Sequence, residues 1–188
     1  MRRITSYLSM LPALAVDVFI HEDFRNAVQP FVPYSAVLLT GLSAGLFYAW
    51  SVSVIPGTRQ VHDLVYLETM QSINQAILNP AFYLIFFGSL LMLAVSSIQQ
   101  YRLGAESAFW LFLAAGLVYL IGAFGVTAFG NVPLNDTLDA IRLDELGPDQ
   151  LAGARRQYET RWNQLHLIRT IFAVLSFILS LAAAFRIN

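Results

Sequence analysis

The sequence predicts an all-α integral membrane protein, folded as a four-helix bundle that crosses the lipid bilayer. Of its 188 residues, 57% are hydrophobic and only 12% are charged, whereas soluble globular domains usually carry about 25% charged residues. The apolar residues are concentrated in four stretches. As a helix, each is long enough to cross about 30 Å of hydrocarbon. Helices satisfy their own backbone hydrogen bonds in lipid, which open sheets do not.

The four predicted spans are almost free of charge. The first three contain no charged side chain, and the fourth contains only Arg169. A soluble core does not need four such runs in a chain of this length, so lipid is the expected surroundings. The chain is therefore divided into an N-terminal segment, residues 1–33, and a four-span membrane domain, residues 34–188. The predicted spans cover about residues 34–55, 80–98, 107–129 and 165–185.

The N-terminal segment has some features of a targeting sequence. Arg2 and Arg3 precede an apolar run, but Pro12 and Asp17 interrupt the segment and no small-residue cleavage pattern follows. We therefore expect an amphipathic helix that lies in the membrane interface. A cleaved signal peptide is the alternative.

The connections between the spans carry recognisable signals. Asn79-Pro80 fits a helix N-cap followed by proline at the first helical position, and a proline kink within one long helix is the alternative. The connection Tyr101–Glu106 is short, which predicts that the second and third spans are antiparallel neighbours. The charged stretch 136–161 predicts one or two extramembrane helices, with a break at Gly147-Pro148.

Two glycines in the first span suggest where helices approach one another closely. Gly41 and Gly45 are four residues apart and therefore lie on the same side of the helix. Small residues at this spacing allow two helix backbones to pack closely in lipid.

Composition and motifs exclude several functions. The net charge of −1 argues against a nucleic-acid-binding protein. The lack of cysteine excludes disulfides, iron–sulfur clusters and thiolate metal sites. The sequence contains no P-loop, G-x-G-x-x-G, G-x-S-x-G or H-E-x-x-H pattern. No cofactor is predicted, although a histidine–carboxylate metal site or a bound quinone stays open.

The densest polar cluster opens the fourth span. Asn163, His166, Arg169 and Thr170 fall on one helical face. Polar and charged groups at membrane depth are costly and usually face the bundle interior, where they serve a function. The alternative is an interfacial anchor, in which Trp162 belongs to the aromatic belt and Arg169 reaches the headgroups.

Two further polar sets lie outside the fourth span. Gln71, Asn74 and Gln75 share a face of the helix that precedes the second span, and interhelical hydrogen bonding is the alternative to ligand binding. Asn131 and Asn135 follow the third span, and Asn135 has the alternative role of capping a helix that starts at Asp136.

Four sequence blocks occur in order and carry a resemblance to a family. The most specific is Asn131-Val132-Pro133-Leu134-Asn135, preceded by Gly125-Val126-Thr127. The others are Gly45-x-x-Tyr48-Ala49-x-Ser51-Val52-x-Val54-x-Pro56-Gly57, Met70-Gln71-x-x-Asn74 with Asn79-Pro80-x-Phe82, and Trp162-x-x-x-His166-x-x-Arg169-Thr170. Over about residues 36–185 the chain resembles the anthrone oxygenase-like family of small four-span membrane proteins, many of which carry only a domain-of-unknown-function label.

The resemblance implies an activity and a set of site residues. Fungal members oxidise anthrones to anthraquinones, whereas bacterial members mostly have no assigned reaction. On this basis His166 is expected to act as the base, since imidazole exchanges protons near neutral pH. Arg169 is expected to stabilise an oxyanion. The expected substrate-binding residues are Asn74, Asn131, Trp162, Tyr48, Gln71 and Asn135.

Two functional hypotheses follow. The first is a cofactor-independent membrane oxidoreductase that acts on an apolar phenolic or polycyclic substrate with dioxygen. The second is a non-catalytic membrane bundle that binds a lipid, a quinone or a partner subunit. The expected partners are the lipid bilayer and an apolar aromatic small molecule, without nucleic acid, and a homo-oligomer stays open. Both hypotheses make it a multi-pass protein, in the cytoplasmic membrane if the source is bacterial.

Overall fold

The computed structural model describes residues 31–187, and over this range the chain is helical apart from short connections. The helical content confirms the predicted all-α fold, with no strand among the described residues. The predicted interfacial helix lies outside the described residues, except that residues 31–33 open the first helix. The helices are α1 (Phe31–Thr58), α2 (Asp63–Ala76), α3 (Pro80–Arg102), α4 (Glu106–Asp139) and α5 (Pro148–Ala184).

Four of these helices, α1, α3, α4 and α5, are long and apolar enough to cross a membrane. Their outward faces expose large apolar side chains such as Leu38, Leu84, Ile121 and Ile171. Such faces suit lipid and would be unfavourable in water. The protein is therefore an integral membrane protein with four candidate spans, and α2 is an additional helix between the first two.

The four long helices form a ring in which each helix packs against two neighbours. The extensive contacts are between α1 and α5, α5 and α4, α4 and α3, and α3 and α1. Buried hydroxyl groups join neighbouring helices: Thr40 Oγ1 lies 3.0 Å from Ser180 Oγ, and Ser176 Oγ donates to the carbonyl of Ala115 at 2.9 Å. The order and directions of the helices give an up–down–up–down bundle.

The connections follow the sequence signals closely. Asn79 caps α3, because its side-chain oxygen accepts the Phe82 N–H at 3.0 Å, so α3 starts as a new helix rather than after a kink. Gly104 has a φ of 72° directly after the last turn of α3, a conformation that favours glycine and reverses the chain into α4. The predicted antiparallel contact between these two spans is confirmed.

The charged stretch after the third span is arranged differently from the expectation. Its first residues belong to the end of α4, and a single 3-10 turn follows at Leu143–Glu145. The rest forms the first turns of α5, which begins at Pro148 after Gly147 and continues without interruption into the membrane. The break at Gly147-Pro148 is confirmed, and the extramembrane residues beyond it are an extension of the fourth span.

The described residues form two apolar cores. The membrane core lies between the four spans and includes Phe47, Phe86 and Tyr119. The α2 core lies at one end of the bundle, where α2 packs on α4 and α5 around Tyr66 and Trp162. The candidate site described below lies at the junction of these two cores.

Arg155 fastens the α2 end of the bundle. Its guanidinium donates to the carbonyl of Val61 at 2.7 Å, to the Asp63 carboxylate at 3.0 Å and to the Glu159 carboxylate at 2.8 Å. It also lies over the ring of Tyr66, at 4.5 Å from the ring centre. Burial raises the pKa of the Tyr66 phenol above its ordinary value, and the negative charge of Glu159 adds to this shift. Through its hydrogen bonds to Val61 and Asp63, Arg155 ties α5 to the loop between α1 and α2 and to the start of α2.

Candidate functional site

His166 and Arg169 lie inside the bundle, where α5 faces the end of α1 and the end of α4. They are three residues apart on α5 and so share the face that points away from lipid. His166 is 1% exposed and Arg169 is 9% exposed. The alternative in which Arg169 reaches the lipid headgroups is therefore wrong for this structure, because the guanidinium is enclosed by protein.

The hydrogen bonds of His166 define its tautomer. Arg169 donates to Nδ1 of His166 from Nε at 3.1 Å and from Nη2 at 3.0 Å. A guanidinium is donor-only, so Nδ1 must supply the lone pair and Nε2 must carry the hydrogen. Nε2 lies 3.1 Å from the carbonyl oxygen of Phe47 and 2.9 Å from Oγ of Ser51. The lone pair available for proton transfer is thus covered by Arg169.

Two π-helical segments face this pair. One, Trp50–Val54, interrupts α1 and brings Ser51 to His166. The other, Thr127–Asn131, interrupts α4 and brings Thr127 to Arg169. A π-helical turn contains an extra residue and changes which side chains face inward, and such turns are frequent at functional sites. The two irregular segments are therefore positioned to shape the site.

Arg169 has no carboxylate within salt-bridge distance in the described range 31–187. Besides His166, its hydrogen-bond partner is the hydroxyl of Thr127, at a long 3.5 Å. The guanidinium lies over the rings of Phe47 at 4.7 Å and Trp162 at 5.0 Å. A buried cation without a counter-charge is costly, and a guanidinium has five N–H donors. This arrangement suits an anionic or strongly polarised oxygen atom of a ligand.

A chain of hydrogen bonds lies beside the pair and links four side chains. The indole N–H of Trp162 donates to Oδ1 of Asn135 at 2.9 Å, and the hydroxyl of Tyr158 donates to the same oxygen at 3.0 Å. The amide nitrogen of Asn74 in turn donates to the Tyr158 hydroxyl at 3.1 Å. The Trp162 ring also stacks on His166, with ring centres 5.0 Å apart and planes 7° apart. This chain of hydrogen bonds and the His166–Arg169 pair are therefore parts of one site.

A cavity of about 160 Å³ lies beside these groups, and its lining includes His166, Arg169, Trp162, Asn74 and Asn135 but not Tyr158. A cavity that holds a single water needs only roughly 10–15 Å³, so this cavity is large enough for a small-molecule ligand. The floor is buried and the rim is exposed, which makes the cavity a pocket that opens between the end of α2, the α2–α3 connection and the end of α4. The floor includes Phe47, Thr127, Trp162, His166 and Arg169, and the rim includes Gln75, Leu78, Val132, Asp136 and Asp139.

A comparison with protein families identifies the chain. The sequence model of the family described as anthrone oxygenase matches residues 75–179, which is more than half of the chain. The chain belongs to the anthrone oxygenase family. The match includes Asn135, Trp162, His166 and Arg169 and begins directly after Asn74. No curated protein and no solved structure matches the chain.

Five of the residues predicted for an anthrone oxygenase site line the cavity: His166, Arg169, Trp162, Asn74 and Asn135. The alternative role of Asn135 as a helix cap is wrong, because Asn135 lies inside α4 and its side chain bonds to α5. The sequence placed these residues on separate segments, and the fold brings them to one pocket.

The other three predicted binding residues are outside the lining of this cavity. Tyr48 is 58% exposed on the outer face of α1, away from the pocket. Gln71 donates to the carbonyls of Leu138 and Ile141, so its amide joins α2 to the end of α4, as the interhelical alternative expected. Asn131 is fully buried behind the floor, where its amide nitrogen donates to the carbonyl of Trp162 at 3.3 Å.

Sequence reasoning missed several residues of the site. Phe47 and Trp50 supply aromatic walls, Ser51 contacts His166, and Tyr158 joins the two asparagines. Ser51 was present in a resemblance block, but serines in spanning helices usually bond to their own backbone, which made it a weak signal. Tyr158 lies in a charged segment with the composition of an extramembrane region, and nothing in the local sequence pattern indicated a role for it.

Within residues 31–187, no three His, Asp or Glu side chains are grouped to hold a metal ion.

Proposed function

We propose that this anthrone oxygenase family member is a membrane oxygenase that converts an apolar phenolic or polycyclic substrate, such as an anthrone, to a quinone with dioxygen. The observation that carries the proposal is the buried Arg169, which has no carboxylate partner in the described chain and contacts His166 at the floor of an aromatic cavity. A cation and a base next to one another match the needs of a reaction that passes through an oxyanion.

The proposed reaction balances without a cofactor. Loss of the acidic C–H proton of an anthrone leaves a delocalised carbanion whose negative charge lies largely on the carbonyl oxygen. This anion transfers one electron to dioxygen, and the two radicals combine into a carbon-bound peroxide, which takes up a proton. Loss of water from the hydroperoxide then forms the second carbonyl group. One anthrone and one dioxygen molecule give one anthraquinone and one water.

The hydrogen bonds of the site suggest that Arg169 moves before His166 accepts the substrate proton. In the free protein Nδ1 of His166 is covered by two N–H groups of Arg169. We propose that a bound substrate draws the guanidinium toward its developing oxyanion, because an ionised acceptor binds N–H donors more strongly than a neutral ring nitrogen does. This movement uncovers Nδ1, and His166 then accepts the substrate proton. Charge stabilisation and proton removal are thereby coupled.

The aromatic walls fit a flat, apolar substrate. Phe47, Trp50, Phe82 and Trp162 all line the cavity, and aromatic rings stack favourably on one another. Such a substrate partitions into lipid and reaches the pocket from the bilayer or from its surface. We place the protein in the cytoplasmic membrane if the source is bacterial.

The proposal is tested with purified protein in lipid nanodiscs, an anthrone and air-saturated buffer. Quinone formation is followed by absorbance and dioxygen consumption by an electrode. We expect a rate above the uncatalysed one and one dioxygen consumed per quinone. In Arg169→Gln we expect a rate at least about 10²-fold lower, the size of effect seen when one oxyanion donor is removed.

Arg161→Gln is the matched control, since Arg161 is on the same helix but is exposed. We expect it to retain the wild-type rate. An Arg169→Gln protein that is folded and equally fast would overturn the assignment of Arg169. A wild-type protein that accelerates no phenolic oxidation but copurifies with a stoichiometric subunit or lipid would favour the non-catalytic alternative.

A further inference from the structure

The hydrogen-bond chain beside the floor fixes which way each of its two amides faces. Trp162 Nε1–H can only donate, so the atom of Asn135 that it contacts must be the oxygen. Tyr158 also contacts this oxygen and must therefore donate its hydroxyl hydrogen to it. The Tyr158 oxygen is then left as an acceptor, and the atom of Asn74 that faces it must be the amide nitrogen. A single indole group thus determines every orientation in the chain.

Each amide has one polar group left over. The oxygen of Asn135 accepts two hydrogen bonds and is saturated, while its amide nitrogen has no partner among the described residues. The nitrogen of Asn74 is bonded to Tyr158, while its oxygen has no partner among them. Neither of these two atoms is among the polar atoms closed off inside the protein, and both residues line the cavity. The two atoms are therefore accessible, and these two cavity-lining residues together present one acceptor and one donor.

We propose that Asn74 and Asn135 determine specificity by recognising, respectively, a hydroxyl group and a carbonyl oxygen of the ligand. A neutral asparagine usually turns to suit either partner, because its oxygen and nitrogen are nearly the same size. Here the amides are held in one orientation, and Tyr158 is the positioning residue that joins them. The ligand class is an aromatic compound with a hydroxyl donor near a carbonyl acceptor. This inference deepens the proposed function, since it concerns the same cavity.

The experiment measures binding without turnover. The probes are 2-naphthol and its methyl ether, which differ in a hydroxyl donor, and 2-acetylnaphthalene and 2-ethylnaphthalene, which differ in a carbonyl acceptor. Titration calorimetry uses the full-length protein in nanodiscs, with empty nanodiscs as the blank for partition into lipid. We expect wild type to prefer 2-naphthol and 2-acetylnaphthalene over their partners by about fivefold each, the size of one net hydrogen bond.

The variants separate the two groups. Asn74→Leu is expected to lose the hydroxyl preference and keep the carbonyl preference. Asn135→Leu is expected to lose the carbonyl preference and also to weaken the hydroxyl preference, because the Tyr158 hydroxyl then lacks the acceptor that sets its direction and the orientation of Asn74. Tyr158→Phe deletes only the shared hydroxyl. It is expected to lower the hydroxyl preference while leaving the affinity for 2-ethylnaphthalene unchanged. Tyr158→Phe also carries the test if an asparagine variant does not fold, and a purely structural role would not change a ratio of affinities.

Equal affinities within each probe pair in wild type would overturn the proposal, as would a hydroxyl preference that survives unchanged in both Asn74→Leu and Tyr158→Phe. The outcomes also distinguish this inference from the proposed oxygenase activity. Probe preferences without any quinone formation would support the recognition and contradict the oxygenase. Quinone formation without the preferences would support the oxygenase and contradict the recognition.

Discussion

His166 and Arg169 form a pair in which each residue limits what the other can do. His166 gives Arg169 an acceptor inside the bundle, and Arg169 covers the lone pair that a base would use. In the other tautomer Nδ1 would carry the hydrogen and could not accept from the guanidinium. The contacts of Nε2 with the Phe47 carbonyl and the Ser51 hydroxyl therefore matter as well, because they hold the hydrogen on Nε2. The chemistry therefore depends on the geometry of both nitrogens.

We predict that His166→Ala lowers the rate of quinone formation by about 10²-fold or more, the usual contribution of a positioned acid–base group. The measurement is the absorbance assay in nanodiscs, corrected for the uncatalysed rate. His62→Ala is the control, because His62 is exposed and its side chain makes no cap hydrogen bond to α2. Retention of the full rate in His166→Ala would eliminate His166 as the base.

At the scale of the elements, irregular helical turns and close helix contacts determine where the site lies. The π-helical segment Tyr119–Gly125 of α4 brings Gly122 directly against the Phe172 ring of α5. A methyl group at Gly122 would overlap this ring. By contrast, the predicted close contact at Gly41 and Gly45 is found only at Gly41, which faces the Phe177 ring.

We predict that Gly122→Ala destabilises the protein by about 2 kcal/mol, because a well-packed interior tolerates extra atoms poorly. Thermal or denaturant unfolding in detergent gives the measurement. Gly153→Ala is the matched control on α5, where an added methyl group meets open space. There we expect no loss, and a gain of up to about 1 kcal/mol from helix propensity. Equal stability of Gly122→Ala and wild type would show that α4 and α5 can separate at this point.

At the scale of the whole molecule, the up–down–up–down order assigns the connections to two sides of the membrane. The α3–α4 connection lies on one side, together with the ends of α1 and α5 at residues 31 and 184. The α1–α2 connection, α2 and the α4–α5 connection lie on the other side, together with the rim of the cavity. The site therefore opens toward a single face of the membrane.

We predict that Arg102→Cys and Arg142→Cys are labelled from opposite sides of sealed vesicles. The chain contains no cysteine, so each variant carries a single thiol, and both positions are exposed. A membrane-impermeant maleimide should label one variant in intact vesicles and both after detergent is added. Equal labelling of the two variants in intact vesicles would contradict the bundle topology.

The sequence by itself determined the membrane fold, because lipid admits few solutions for long apolar segments and those segments are visible in composition alone. The sequence also predicted His166 and Arg169 as site residues, since ionisable side chains at membrane depth are energetically costly and usually functional. The cap at Asn79 and the break at Gly147-Pro148 were readable because their signals are local.

Only the tertiary structure decided which polar residues meet. Asn74, Asn135 and Tyr158 come from three different helices, and their contact depends on how α2 packs against α4 and α5. The same packing directs Gln71 to backbone carbonyls and leaves Asn131 behind the floor. A pattern along one helix gives the face on which a side chain lies. Which neighbour occupies that face is set by long-range packing, and so is the direction in which each amide must point.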